Sequence, residues 1–252
     1  MWTQIWTALR INIFLTIFAG VAYPLAMTGI CQVIFPHQAN GSLVMQDDKV
    51  IGSELIGQNF ARPEYFHPRP SSAGTDGYDP TSSGGSNLGP TSAKLIRGTT
   101  KVDEKKKEVV DFDGVSLRLV HYCIENSIPY ESSVPLDQFK DSGGNFDDVK
   151  LIRAFNDEKA PLVFRSKEPI PADAVTGSGS GLDPHISPAN AAVQAARVAR
   201  TRGISPDKVN KLIAQFTATP SLGFIGEPSV NVLRLNLALD QQFRSSKIAG
   251  LR

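Results

Sequence analysis

The sequence predicts an α+β protein: one N-terminal transmembrane helix, then a loop-rich extracytoplasmic α+β domain with an insertion. Three observations predict it. A long apolar run without charge lies near the N-terminus, Gly and Pro crowd two later stretches, and two Ser-Pro helix starts precede an apolar C-terminal segment.

The apolar run is Ile11–Phe35, INIFLTIFAGVAYPLAMTGICQVIF, with no Asp, Glu, Lys or Arg. At about 25 residues it exceeds the roughly 18 that mark a membrane span. As a helix it is about 37 Å long against a hydrocarbon core of about 30 Å, so it crosses with tilt or a kink. Pro24 lies mid-run, where a kink falls. A cleavable signal has a shorter apolar core and a small-x-small cleavage site, and Cys31–Pro36 offers none. Ile30 before Cys31 speaks against a lipoprotein signal. Arg10 is the only Lys, Arg, Asp or Glu before Asp47. Positive flanks stay in the cytoplasm, so residues 1–10 are expected inside, 11–35 in the membrane and 36–252 outside. Thr16 and Gly20 are four apart, as are Ala22 and Ala26. Such spacing lets another helix approach closely, which makes these four the candidate helix-docking residues.

Beyond the span, Ser42–Val44 and Lys49–Ile51 flank Gln46-Asp47-Asp48 and predict a short β-hairpin. Gly52–Phe60 reads as a short strand or a turn of helix. Pro63, Pro68 and Pro70 then exclude regular structure. The segment Tyr65–Pro90, YFHPRPSSAGTDGYDPTSSGGSNLGP, is a long loop. Loops this long inside a domain are functional or disordered, and the aromatics argue against disorder. Tyr65, Phe66, Tyr78, Ser86 and Asn87 are therefore candidates for contact with a partner or ligand. Residues 98–167 change character and read as an inserted lobe. Lys105–Lys107 is a solvated charge run, Val115–Asn126 has helical spacing, and Leu151–Phe155 is a second short amphipathic piece.

Ser187 and Pro188 predict a helix start, and Gly203 a stop after Arg202. Ala191, Ala195, Val198 and Ala199 form its apolar face. Ser205-Pro206 opens a second helix with Val209, Leu212, Ile213 and Phe216 inward. Val230, Val232, Leu235, Leu237 and Leu239 nearly alternate, which favours a core strand, with Leu233 out of phase and a Leu-rich helix as the rival.

The chain has 252 residues, a net charge of +1 and 20% charged residues, a balance that points away from nucleic acid. Cys31 belongs to the span and Cys123 to the domain, so an internal disulfide is not expected. Enzymatic motifs fail in turn. No G-x-x-x-x-G-K-[ST] is present. Gly177–Gly181 departs from G-x-G-x-x-G at Leu182 and reads as a flexible turn; it does not match the nucleophile elbow either. His37, His67, His121 and His185 have no metal-ligand spacing. Asp183 and His185, between the Gly-Ser turn and the Ser187 cap, read as structural or partner-binding. Asn40-Gly41-Ser42 fits a glycosylation pattern that is frequent by chance.

Longer strings go further. FPHQANGSLV (Phe35–Val44), GSELIGQNF (Gly52–Phe60), YFHPRPSSAG (Tyr65–Gly74), YDPTSSGGSNLGPTS (Tyr78–Ser92), SGSGLDPHISPANA (Ser178–Ala191), QAARVARTRGIS (Gln194–Ser205) and FIGEPSVNVLRLNLALD (Phe224–Asp240) follow one N-terminal span. This order resembles the C-subunit (KdpC) family of the bacterial Kdp potassium-transporting ATPase, over most of residues 1–97 and 169–240. The resemblance implies an ATP-driven, high-affinity potassium importer of the cytoplasmic (inner) membrane. A channel-like A subunit carries the ion, a P-type ATPase B subunit hydrolyses ATP, and a small F subunit helps hold the complex. The C subunit has one helix and an extracytoplasmic domain. It serves assembly and has been described as a catalytic chaperone that raises the ATPase subunit's affinity for ATP. The phosphorylation motif D-K-T-G is absent here, in keeping with a non-catalytic subunit. No bound cofactor is expected, and ATP enters only through the resemblance. Residues 98–167 are longer than in many members. The rival reading is a membrane-tethered enzyme or ligand-binding domain acting alone.

Overall fold

The computed structural model describes residues 1–243; positions 244–252, which the expected domain includes, lie outside the described residues. The chain divides into Met1–Leu55 and Ile56–Arg252.

In the first unit a continuous helix runs Trp2–Ile34 and is long and apolar enough to cross a membrane. It starts before Ile11 because Trp2–Leu9 contains neither Gly nor Pro, and a single Arg does not end a helix. Pro24 is accommodated by a π-helical turn over Phe18–Ala22, where the Tyr23 N–H donates to the Phe18 carbonyl. The proline ring crowds the carbonyl four residues back, that of Gly20, and a wider turn there relieves the crowding. After a short helix at Pro36–Ala39, Leu43–Gln46 pairs antiparallel with Lys49–Ser53. The hairpin turn is Asp47-Asp48, with φ of 49° and 60°. Both central residues are left-handed, as a type I′ turn requires, and Asp tolerates that region. Gly52–Phe60 begins as strand to Ser53, turns at Glu54-Leu55 and has no regular structure from Gly57 to Phe60.

The second unit mixes short strands and helices around two apolar cores. In the first core, Pro188–Arg202, Pro206–Phe216 and Val232–Gln242 pack with a three-stranded sheet. Its central strand is Ser229–Asn231, flanked antiparallel by His185–Ile186 and Thr217–Ala218. The Ser187 Oγ caps the first helix by accepting from Asn190 N at 3.1 Å, and Gly203 closes it with φ 69°. Ala191, Ala195, Val198 and Ala199 are buried as the pattern predicts. Pro206 opens the next helix, but the Ser205 side chain makes no cap bond.

The segment 230–240 corrects the sequence reading. It is strand only to Asn231, and Val232–Gln242 is helix. Asn231 Oδ1 accepts from Arg234 N at 3.1 Å and starts the helix. Val232, Leu233, Leu235, Ala238 and Leu239 are all buried. Leu233, which broke the alternation, fits a broad helical face.

The second core gathers Leu117, Val120, Cys123, Leu151, Ile152, Phe155 and Phe164. Its helices are Gly114–Glu125 and Asp148–Phe155, and its hairpin pairs Thr99–Val102 with Glu108–Phe112. Tyr130–Ser132 pairs antiparallel with Phe164–Ser166. Lys105–Lys107 is exposed at the hairpin turn.

Candidate functional site

The long loop is held by side chains that imitate a neighbouring strand. Asn236 Nδ2 donates to the Phe66 carbonyl and its Oδ1 accepts from Phe66 N, both at 2.9 Å. Gln194 repeats the arrangement on His67, accepting at 2.7 Å and donating at 3.1 Å. Two helices thereby satisfy both backbone groups of two successive loop residues, which a buried loop must have satisfied. Phe66 lies in the first core at 0% exposure and offers no surface. The Tyr65 hydroxyl donates to Asp240 at 2.8 Å. The Tyr78 hydroxyl donates to the Arg69 carbonyl at 2.9 Å. Ser86 and Asn87 are exposed.

The Gly-Ser stretch is the backbone partner of this loop. Gly84 N donates to the Ser180 carbonyl and Gly57 N to the Leu182 carbonyl, both at 2.8 Å. A Cβ on Gly181 would stand 2.6 Å from the Gly84 carbonyl and 2.9 Å from Ala73 N, and φ there is 67°. Asp183 accepts from Arg69 Nη1 at 2.9 Å and from His185 N at 2.9 Å. Burial pushes the Asp183 carboxyl up, but the bonds from His185 and the Arg69 charge outweigh it and hold the group below its usual value. Structure thus joins Tyr78 to the Asp183–His185 turn, and it leaves Ser86 and Asn87 apart from them.

Where this loop faces the helix Gly114–Glu125 there is a cleft of about 480 Å³. Its wall carries three matched pairs. His67 Nδ1 lies 3.1 Å from Glu125 Oε1, and His121 Nε2 lies 2.8 Å from Asp148 Oδ1. Arg118 Nε and Nη2 donate to the two Asp113 oxygens at 2.7 and 2.6 Å. Burial pushes the Glu125 carboxyl up, but the His67 bond and charge and the Arg197 charge bring it below its usual value. Tyr122, buried beside the cleft, donates to Asn190 Oδ1 at 2.8 Å, and burial raises its phenol further. The sequence reading singled out none of Arg118, Glu125 or Asp148. Once 114–125 is a helix, the spacing of Arg118, His121 and Glu125 at i, i+3 and i+7 places them on one face, which is the signal the sequence offers. Each of the three carboxylates, Asp113, Glu125 and Asp148, has a basic side chain within 3.1 Å. Among the described residues no three His, Cys, Asp or Glu side chains converge as a metal site.

The His121–Asp148 pair makes stability depend on pH. The hydrogen bond to Asp148 raises the His121 pKa above its ordinary 6.5, against the lowering effect of burial. A raised folded-state value stabilises fully below the unfolded value, and the gain is lost as pH rises through the folded value. The melting temperature of the native chain should therefore exceed that of His121→Gln at pH 6, and the gap should close by pH 8. A gap that stays constant across that range refutes the assignment.

On the membrane helix, Thr16, Gly20, Ala22 and Ala26 are all exposed. At about 100° per residue, the Thr16/Gly20 pair and the Ala22/Ala26 pair fall on different sides. The helix thus carries two small-residue faces.

Comparison with known proteins adds a frame to this geometry. The family described as KdpC, K+-transporting ATPase, c chain, matches residues 5–150 and 146–241. A Mycobacterium tuberculosis protein named "Potassium-transporting ATPase KdpC subunit" is 43% identical over 238 residues, covering 94% of this chain and 98% of the relative. Proteins of the same name from Beijerinckia indica and Rhodospirillum rubrum are 43% and 44% identical, over 92% and 91% of this chain and 90% and 91% of their own lengths.

Proposed function

The chain belongs to the KdpC family, the c chain of K+-transporting ATPases, and on that premise we propose that it is a non-catalytic accessory subunit of an ATP-driven potassium importer. The observation that carries this reading is the near full-length similarity, together with one apolar N-terminal helix followed by a folded domain. In this reading ATP hydrolysis resides in a P-type ATPase subunit and ion conduction in a channel-like subunit, with a small F subunit completing the complex. The helix anchors the chain in the bacterial inner membrane with its N-terminus inside, as the Arg10 flank favours. The domain then lies outside, away from cytoplasmic ATP. A catalytic-chaperone effect, raising the ATPase subunit's affinity for ATP, accordingly works through assembly and not through nucleotide held in this domain.

The test is affinity purification of the tagged full-length chain from mild detergent. A P-type ATPase and a channel-like protein should co-purify in fixed ratio. Gly20→Leu should reduce their recovery severalfold, because a bulky side chain prevents close helix approach. Recovery of this chain alone from cells that express those partners sinks the subunit reading. Undiminished recovery with Gly20→Leu, Thr16→Leu and Ala26→Leu sinks the docking faces.

A further inference from the structure

The turn that leaves the core sheet between Thr217–Ala218 and Ser229–Asn231 carries Leu222 and Phe224, the two most exposed large apolar side chains among the described residues beyond the apolar helix, with Ile225 beside them. Leu222 is 83%, Phe224 78% and Ile225 52% exposed. The backbone beneath them is hydrogen-bonded to itself. Ser221 N donates to the Ile225 carbonyl and Ile225 N to the Ser221 carbonyl, both at 2.9 Å, and Gly223 N donates to the Pro220 carbonyl at 3.0 Å. Leu222 has φ 54°. A left-handed Leu costs on the order of 1 kcal/mol relative to glycine, and in the isolated chain no burial offsets it. Three large apolar groups on one tip carry a few hundred Å² of apolar surface, in the range where a patch marks an interaction site.

Three features decide what covers the tip. Leu222 and Phe224 are side chains that lipid also takes up, but from Thr217 to Ser229 there is no Lys or Arg to hold the tip to anionic headgroups and no Trp or Tyr of the kind that lines membrane interfaces. The one charge is Glu227, which is exposed and has no ion pair among the described residues. A carboxylate beside the tip disfavours an anionic lipid surface and favours a cationic rim. The hydrogen-bonded turn gathers the three side chains on one short tip, and such backbone preorganisation lowers the cost of filling a shaped pocket. We infer that Leu222, Phe224 and Ile225 form an anchor that inserts into an apolar pocket of another protein subunit, a pocket with Lys or Arg at its rim facing Glu227. The inference rests on the accessory-subunit reading. Central apolar anchors carry most of the energy of an interface, and rim charges tune it.

The test again uses the full-length tagged chain purified with its partners. Leu222→Ser combined with Phe224→Ser should lower the partner protein retained after washing at least tenfold. The melting temperature of the chain itself should not move, since both side chains are exposed. Glu227→Lys should also lower retention, and Glu227→Gln less so. Retention equal to native in the double variant overturns the anchor, whereas failure of the native chain to retain any partner overturns the subunit reading beneath it. Lipid is distinguished by Phe224→Trp in a Trp2→Phe, Trp6→Phe chain, reconstituted alone in nanodiscs of phosphatidylethanolamine and phosphatidylglycerol. Emission typical of solvent-exposed Trp supports the protein pocket. A blue shift quenched by brominated lipid overturns it. A dimer of the isolated chain that the double variant abolishes assigns the tip to a second copy and overturns it as well.

Discussion

Arg197→Met should destabilise the domain by about 3–5 kcal/mol, on the scale for removing one member of a buried charged network. Arg197 is 2% exposed. Its Nε donates to Asn126 Oδ1 at 3.0 Å and its Nη2 to Gln194 Oε1 at 2.7 Å. Its Nη1 donates to the carbonyls of Pro63 at 2.6 Å and Tyr65 at 2.9 Å. One guanidinium therefore joins the long loop, the end of the Gly114–Glu125 helix and the core helix on which it stands. Methionine fills similar volume but withdraws the donor from four oxygens; Gln194 Oε1 keeps the bond from His67 N, and the other three are left unpaired at roughly 1–3 kcal/mol each before relaxation. Lysine does not rescue, because one ammonium cannot reach acceptors that a planar fork spans. Burial lowers the Arg197 pKa, and the nearby Glu125 charge opposes that effect. Urea unfolding of the full-length chain in detergent, followed by near-ultraviolet circular dichroism, gives the number. A loss below about 1 kcal/mol would mean that the network is not cooperative.

Gly114→Ala should be the second large effect, about 2–4 kcal/mol, and confined to the second core. Gly114 has φ 66°, and a Cβ there would stand 2.2 Å from Gly98 N and 2.7 Å from Gly98 Cα. The obstacle is backbone, which no rotamer change removes. Gly98 is itself left-handed at φ 78°, and its carbonyl accepts from Asn156 Nδ2 at 3.3 Å. Separating the two strands of chain therefore also disturbs the Asp148–Phe155 helix that Asn156 closes. Gly203→Ala is the control. It has φ 69° but no atom within 4 Å of an added Cβ, so only the left-handed cost of about 1 kcal/mol applies. Hydrogen exchange should show lost protection in residues 98–156 for Gly114→Ala and little change there for Gly203→Ala. Equal effects of the two substitutions would refute the close-contact argument.

What the sequence made legible is local. The apolar run, the Asp47-Asp48 turn, and the Ser187, Pro188 and Gly203 punctuation of a helix each state their conformation within a few residues. The C-terminal segment misled because alternation and helical spacing overlap in a Leu-rich run, and the deciding residue, Asn231, is a cap whose bond to Arg234 N only the fold displays. The Tyr65–Pro90 loop was recognisable as ordered from its aromatics. That Asn236 and Gln194 hold it was not, since nothing local marks an amide in a helix as the partner of a backbone 170 or 127 residues away. The cleft was hidden for the same reason. His67 and Asp148 reach their partners from separate segments, and only the spacing of Arg118, His121 and Glu125 announces a shared face.

The π turn of the membrane helix has a consequence of a different kind. With the Tyr23 N–H given to Phe18, the Ala19 carbonyl loses its α-helical donor, and the next residue, Pro24, has no N–H to replace it. Ala19 lies near the middle of Trp2–Ile34. A carbonyl short of a donor is of little consequence in water. At mid-bilayer, where no water competes, it adds to the free energy of the solitary helix, and a donor from a neighbouring segment would remove that excess. Solvation alone therefore makes this span less stable as a lone helix in lipid than beside one that supplies a hydroxyl or amide at that depth.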